Sequence, residues 1–125
     1  MALLDSTLMN SEVKSVTQGL REIAESGRIG RPIFVRWMAT FVAGNESSSD
    51  LAEVALSDIS SIFGTAPESY STMGEGESGN ISMICRWAGG QAALIATGVT
   101  SADQRPGLDI ALIGSEGAAY HHDDR

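Results

Sequence analysis

Between Ser11 and Glu25 apolar residues recur three or four apart, at Val13, Val16, Leu20, Ile23 and Ala24, which predicts one face of an amphipathic helix. Ser11 is the candidate N-cap, and Gly27 suits the position just past the helix end, where positive φ is needed. Met1 to Asn10 lacks this spacing and reads as a short strand or an arm outside the domain, which then runs from 11 to 125. Arg28-Ile29-Gly30 carries a turn, and Pro32 opens a strand, where its missing N–H is tolerated. From Ile33 to Val42 both sides of the strand are apolar: Ile33, Val35, Trp37, Ala39 and Phe41 alternate with Phe34, Met38 and Val42, broken only by Arg36 and Thr40. A strand of this kind is covered on both faces.

After a polar loop from Gly44 to Ser49, Ser49 or Asp50 caps a second predicted helix with an apolar stripe of Leu51, Val54, Ala55, Ile59, Ile62 and Phe63, closed by Gly64. The remainder reads as strands: Glu68 to Met73, Ile81 to Trp87, Gln91 to Val99, Leu108 to Ile113 and Ala118 to His121. Gly74 to Asn80 is an acidic connection, Ala88-Gly89-Gly90 and Gly114 to Gly117 are hairpin turns, Thr100 to Gly107 is a loop, and the tail after Tyr120 is polar. Two helices and one strand are thus followed by an antiparallel meander, and the predicted fold is α+β, with two helices on one face of a mostly antiparallel, open-faced sheet of about five to six strands. Because the strands are apolar on both sides, the uncovered face is expected to be a contact surface between copies of the chain.

Composition narrows the partners. The 125 residues are 42% hydrophobic and 19% charged, a globular balance, with a formal net charge of −8. Such acidity disfavours nucleic acid and anionic membrane. No apolar run approaches the length of a membrane span. The single cysteine, Cys85, excludes an intrachain disulfide, and the first residues have neither a basic region nor a continuous apolar one, so a cytoplasmic location is expected.

Four pieces in this order and spacing resemble the C-terminal domain of the Gfo/Idh/MocA family of NAD(P)-dependent sugar and polyol dehydrogenases: LREIAESGRIGRPIFVRW (Leu20 to Trp37), the helix ending in Ile62-Phe63-Gly64, ISMICRWAGGQAALI (Ile81 to Ile95) and LDIALIGSEGAAY (Leu108 to Tyr120). The resemblance implies sheet-to-sheet packing into dimers or tetramers, and a separate Rossmann domain for the nucleotide. The glycine pairs Gly74/Gly76 and Gly89/Gly90 lie between predicted strands and read as turns, so no dinucleotide-binding fingerprint is expected. The family's Glu-Lys-Pro motif with its catalytic lysine does not occur either. No cofactor is therefore assigned to this chain.

The family also carries an Asp and a His on the second helix. Here that stretch reads DLAEVALSDISSIFG, and the His position falls on Ser57 or, without a gap, on Val54; neither can shuttle a proton as imidazole does. Ser57, Asp58 and Glu53 are the catalytic candidates that remain, and Asp50, Glu53 and Ser57 could share a helix face as a residual polyol site. The plainer reading is a solvated face, with Asp50 favouring the helix N-terminus. His121 and His122 are adjacent in a strand, so they point to opposite faces, and no metal site is expected. Cys85 alternates with Ile81, Met83 and Trp87 and reads as a buried structural thiol. Val35, Arg36, Trp37, Met38, Arg86 and Trp87 are the interface candidates, the tryptophans as anchors and the arginines as partners for an acid across a dimer.

Three functional expectations follow. The first is a stand-alone, self-associating sheet domain with an accessory or binding role and no catalysis of its own. The second is one part of a split dehydrogenase whose Rossmann domain comes from a partner. The third is a small lyase or isomerase using a pocket between the second helix and the sheet, with Asp58, Glu53, Arg36 and Arg86 as its chemistry.

Overall fold

The computed structural model describes residues 2–42, 48–74, 80–100 and 107–122; side chains are described at 14–40, 50–74, 80–98 and 107–122. The elements run α1 (Ala2–Glu25), β1 (Pro32–Val42), α2 (Ser48–Phe63), β2 (Ser69–Gly74), β3 (Ile81–Arg86), β4 (Ala92–Thr100), β5 (Gly107–Gly114) and β6 (Ala118–His122). The sheet is open, in the order β2-β3-β4-β1-β5-β6. The Gly44–Ser49 loop, the Gly74–Asn80 connection, the 100–107 loop and the polar tail lie wholly or mostly outside the described residues.

Two sequence expectations need correction. The strand expected near the start of the chain is not formed over residues 2–10: α1 is a continuous helix of 24 residues from Ala2, and Ser11 lies inside it rather than at its N-cap. Nothing in Met1 to Asn10 forbids helix, since the stretch holds no glycine or proline. The later strands are also not an uninterrupted meander. Strand β1 inserts between β4 and β5, pairing parallel with β4 (Phe34 opposite Ala92 through Val42 opposite Thr100) and antiparallel with β5. The other three pairings are antiparallel. A strand apolar on both sides is best buried at the centre of a sheet, and β1 takes that place.

Alternation along β1 divides the sheet cleanly. Val35, Trp37 and Ala39 are buried on the helix-covered face, where they meet Cys85, Ala93 and Ile95 from the β3–β4 side and Leu108, Ile110 and Leu112 from β5. Leu51, Ala52, Ala55 and Ile59 of α2 complete this core, with Leu20 of α1. Ala52, absent from the predicted stripe, is fully buried, because a methyl lets the helix approach the sheet closely.

The turn after α1 docks on the β5–β6 hairpin. Ile29 is buried, its carbonyl accepts the N–H of Glu116 at 2.8 Å, and the Arg31 carbonyl accepts that of Ser115 at 2.9 Å. Gly27 and Gly30 supply positive φ of 79° and 76°. A Cβ on Gly114 would strike the Ile29 carbonyl, so a residue without one is required where hairpin meets turn.

Candidate functional site

Helix α2 divides the candidate residues between its two flanks. Glu53, Ser57 and Ser60, with Leu56, line a groove that lies over the outer part of the helix-covered sheet face. Ala66, Pro67, Tyr70, Thr72, Ile81 and Met83 complete it, and its volume is about 500 Å³. This is the size range of small-ligand clefts, and the lining has their character, an apolar floor with a few hydroxyls and one carboxylate. Glu53 and Ser57 thus share a wall, as their spacing predicts; Asp50 is not part of the lining.

Asp58 faces the other way, toward α1. Its Oδ2 accepts the Thr17 hydroxyl at 3.4 Å, in a small polar cleft with Lys14, Gln18, Arg21 and Ser61. Arg21 donates to the Ser61 hydroxyl at 3.0 Å and to Gln18 Oε1 at 2.9 Å. Desolvation raises the Asp58 pKa above the ordinary carboxylate value, against smaller lowering effects from the Thr17 hydrogen bond, Lys14 and Arg21. Its role here is to join the two helices.

The four groups proposed for a lyase or isomerase are not assembled. Of Asp58, Glu53, Arg36 and Arg86, only Glu53 lines the groove. Arg36 and Arg86 are exposed on the opposite face of the sheet, as the alternation of β1 and β3 requires.

The interface candidates divide in the same way. Arg36, Met38 and Arg86 lie on the uncovered face. Val35, Trp37 and Trp87 do not: all three are buried under the helices and belong to the core. Trp87 donates its indole N–H to the Thr65 carbonyl at 2.8 Å. On the uncovered face Phe34, Leu94, Ala96 and Ala111 surround Arg36, and Met38, Met73, Ile84, Ile113 and Tyr120 are exposed there. Of the large apolar side chains that stay exposed, Tyr70 and Ile33 alone fall elsewhere among the described residues.

Cys85 is fully buried and burial pushes its thiol pKa up, which suits an inert core residue. His122 pairs through Nδ1 with Asp109 at the far edge of the uncovered face. Among the described residues no three His, Cys, Asp or Glu side chains converge on a common point, and no helix is long and apolar enough to cross a membrane.

The run Gly74-Glu-Gly-Glu-Ser-Gly79 does have the G-x-G-x-x-G spacing, contrary to the expectation that no such fingerprint occurs. Its setting is wrong for a dinucleotide. It joins β2 to β3, which pair antiparallel up to Gly74 opposite Ile81, and it leads into a strand instead of a helix N-terminus.

The backbone itself has close counterparts. It superposes on a probable dehydrogenase from Thermotoga maritima with a TM-score of 0.74, at 20% identity, over 87% of this chain and 38% of that one. The fold is shared with less than half of that dehydrogenase chain. Similar matches are myo-inositol 2-dehydrogenase from Lactobacillus plantarum (TM-score 0.65, 14% identity, 84% of this chain and 38% of that one) and scyllo-inositol dehydrogenase from Lactobacillus casei with NAD(H) and scyllo-inositol (TM-score 0.64, 13% identity, 84% and 38%). The chain therefore spans well under half the length of each. No family model and no curated protein matches the sequence.

Proposed function

We propose that this chain is a dehydrogenase-type sheet domain that is not catalytic alone and that self-associates through its uncovered face, with an accessory or binding role in a reducing, cytoplasmic setting. The observation that carries this reading is the band of Met38, Ile84, Ile113, Met73 and Tyr120 left exposed around Arg36. Water contact with so much apolar surface on one sheet face is costly, and a second such face removes it. Arg36 needs an acid from the second copy if it is buried there, and Asp109, two register positions along β5 on the same face, is placed to serve in a two-fold arrangement. Light scattering on the purified chain at micromolar concentration is expected to return a dimer or tetramer. A mass of 13.1 kDa, that of one chain, overturns the reading.

The groove favours a second reading, in which the chain serves a split NAD(P)-dependent sugar or polyol dehydrogenase whose Rossmann domain is supplied by a partner. Glu53, Ser57 and Ser60 offer hydroxyl-binding groups over the apolar floor of Leu56, Ile81 and Met83. Activity with NAD(P) and an inositol that arises only on mixing with such a domain supports this reading. Catalysis by neither component nor the mixture removes it.

A further inference from the structure

Strand β2 is an open edge of the sheet. Among the described residues it pairs with β3 alone, from Ser69 opposite Arg86 to Gly74 opposite Ile81, and all six of its residues are exposed. Natural edges are blunted by charge, proline or bulges. The sequence SYSTMG has neither charge nor proline, and its register is unbroken.

The groove described above lies directly beside this edge. Tyr70 and Thr72 of β2 form its outer wall, and Glu53, Ser57 and Ser60 of α2 its inner one. Alternate residues of a strand share a face. A seventh strand laid along β2 therefore places every second side chain at the mouth of the groove, above Leu56, Pro67, Ile81 and Met83.

Charge selects the occupant. Among the described residues Glu53 is the one charged residue lining the groove, no Lys, Arg or His is part of the lining, and Glu68 stands exposed at the head of β2. Arg86, on the adjacent strand, belongs to the opposite face of the sheet. Together with a net charge of −8, this repels an acidic segment and attracts a basic one. A second copy of β2 brings its own Glu53 and Glu68 and is the poorer fit.

We propose that β2 and α2 form a docking site for an extended segment of a partner protein, which adds to the sheet as a seventh strand. An apolar side chain of the segment enters the groove, and flanking Lys or Arg residues meet Glu53 and Glu68. Main-chain hydrogen bonds along β2 supply affinity, and the groove supplies selectivity. The site is separate from the uncovered sheet face and does not depend on self-association there.

The test is a titration of the isotopically labelled full chain with a capped hexapeptide, Lys-Val-Thr-Val-Thr-Lys, followed by amide shifts and hydrogen exchange. Perturbation and slowed exchange are expected at residues 69–74, with methyl shifts at Leu56 and Met83. The same peptide N-methylated at alternate residues keeps its side chains but loses donors, and should bind about tenfold more weakly. Glu53→Lys and Glu68→Lys, both at exposed positions, should each weaken the unmodified peptide by about twofold to fivefold. Four results overturn the proposal: no perturbation at millimolar peptide, undiminished binding of the N-methylated peptide, shifts confined to Met38, Ile84 and Leu94, or protection of 69–74 that rises with protein concentration when no peptide is present. The last would assign the edge to a second copy.

Discussion

Trp87 stands edge-on to Phe63, with ring centroids 4.7 Å apart and planes inclined at 74°. The contact ties the end of α2 to the end of β3, and the indole N–H held by the Thr65 carbonyl fixes the turn between helix and sheet. Trp87→Phe keeps an aromatic body and loses the hydrogen bond, at a cost of about 1–2 kcal/mol; Trp87→Ala loses both, at about 3–5 kcal/mol. Urea unfolding followed by circular dichroism measures the difference. Equal losses in the two variants would show that the hydrogen bond carries the whole effect.

Gly114→Ala should be among the more damaging small changes. The added methyl meets the Ile29 carbonyl, which is occupied by the Glu116 N–H and backed by the buried Ile29 side chain. The strain expected is about 1–3 kcal/mol, read as a lowered urea midpoint. Gly64→Ala is a useful contrast, since open space surrounds that position and only its φ of 86° resists a side chain.

Asp58 makes a pH-dependent contribution whose sign follows from its raised pKa. The folded protein holds this proton more tightly than the unfolded chain, so the stability associated with it is full at low pH and falls as pH rises from the ordinary carboxylate value through the raised folded one. Above that window the ionised, half-buried carboxylate is a net burden. Asp58→Asn keeps a partner for the Thr17 hydroxyl without the charge, and is expected to unfold at higher urea than the parent at pH 7. The gap should shrink toward pH 3. A gap that widens on acidification would mean that Lys14 and Arg21 outweigh desolvation.

Cys85 is expected to resist modification in the folded protein. Its thiol is fully buried with a raised pKa, so reaction with an aromatic disulfide reagent requires opening of the sheet. Labelling in buffer should be slow and should accelerate across the urea transition. Immediate stoichiometric labelling in buffer would show that the helix-covered face opens readily.

The uncovered face offers a charge test of self-association. Ile84 is partly exposed between Ser71 and Leu94, where its side chain contributes little to the fold of one copy. Ile84→Glu should leave the far-ultraviolet spectrum unchanged and shift the assembly toward a single chain in light scattering. An unchanged assembly would place the contact elsewhere.

The division between sequence and tertiary structure can be followed through particular residues. Period alone marked the strand from Ile33 to Val42 and the helix over Leu51 to Phe63, because burial against a sheet demands those spacings locally. It also led to the expectation that β1 is covered on both faces; the helices cover one, and Arg36 and Met38 lie exposed on the other. Gly27 and Gly64 marked helix ends, because positive φ is a property of single residues. Chain-distant pairing decided the rest. Nothing local shows that β1 lies parallel to β4 and parts it from β5, because register is set by which buried faces meet after collapse. Nor does local spacing say which side of α2 looks over the sheet: Glu53 and Ser57 reach a groove while Asp58, one residue further on, turns to Thr17, because the helix rotation is fixed by burying Ala52 and Ala55 in the core beneath it. Val35, Trp37 and Trp87 became core and Arg36 and Met38 surface for the same reason. A strand's alternation is written in its sequence, but which of its two sides the helices cover is settled only when the whole sheet is assembled.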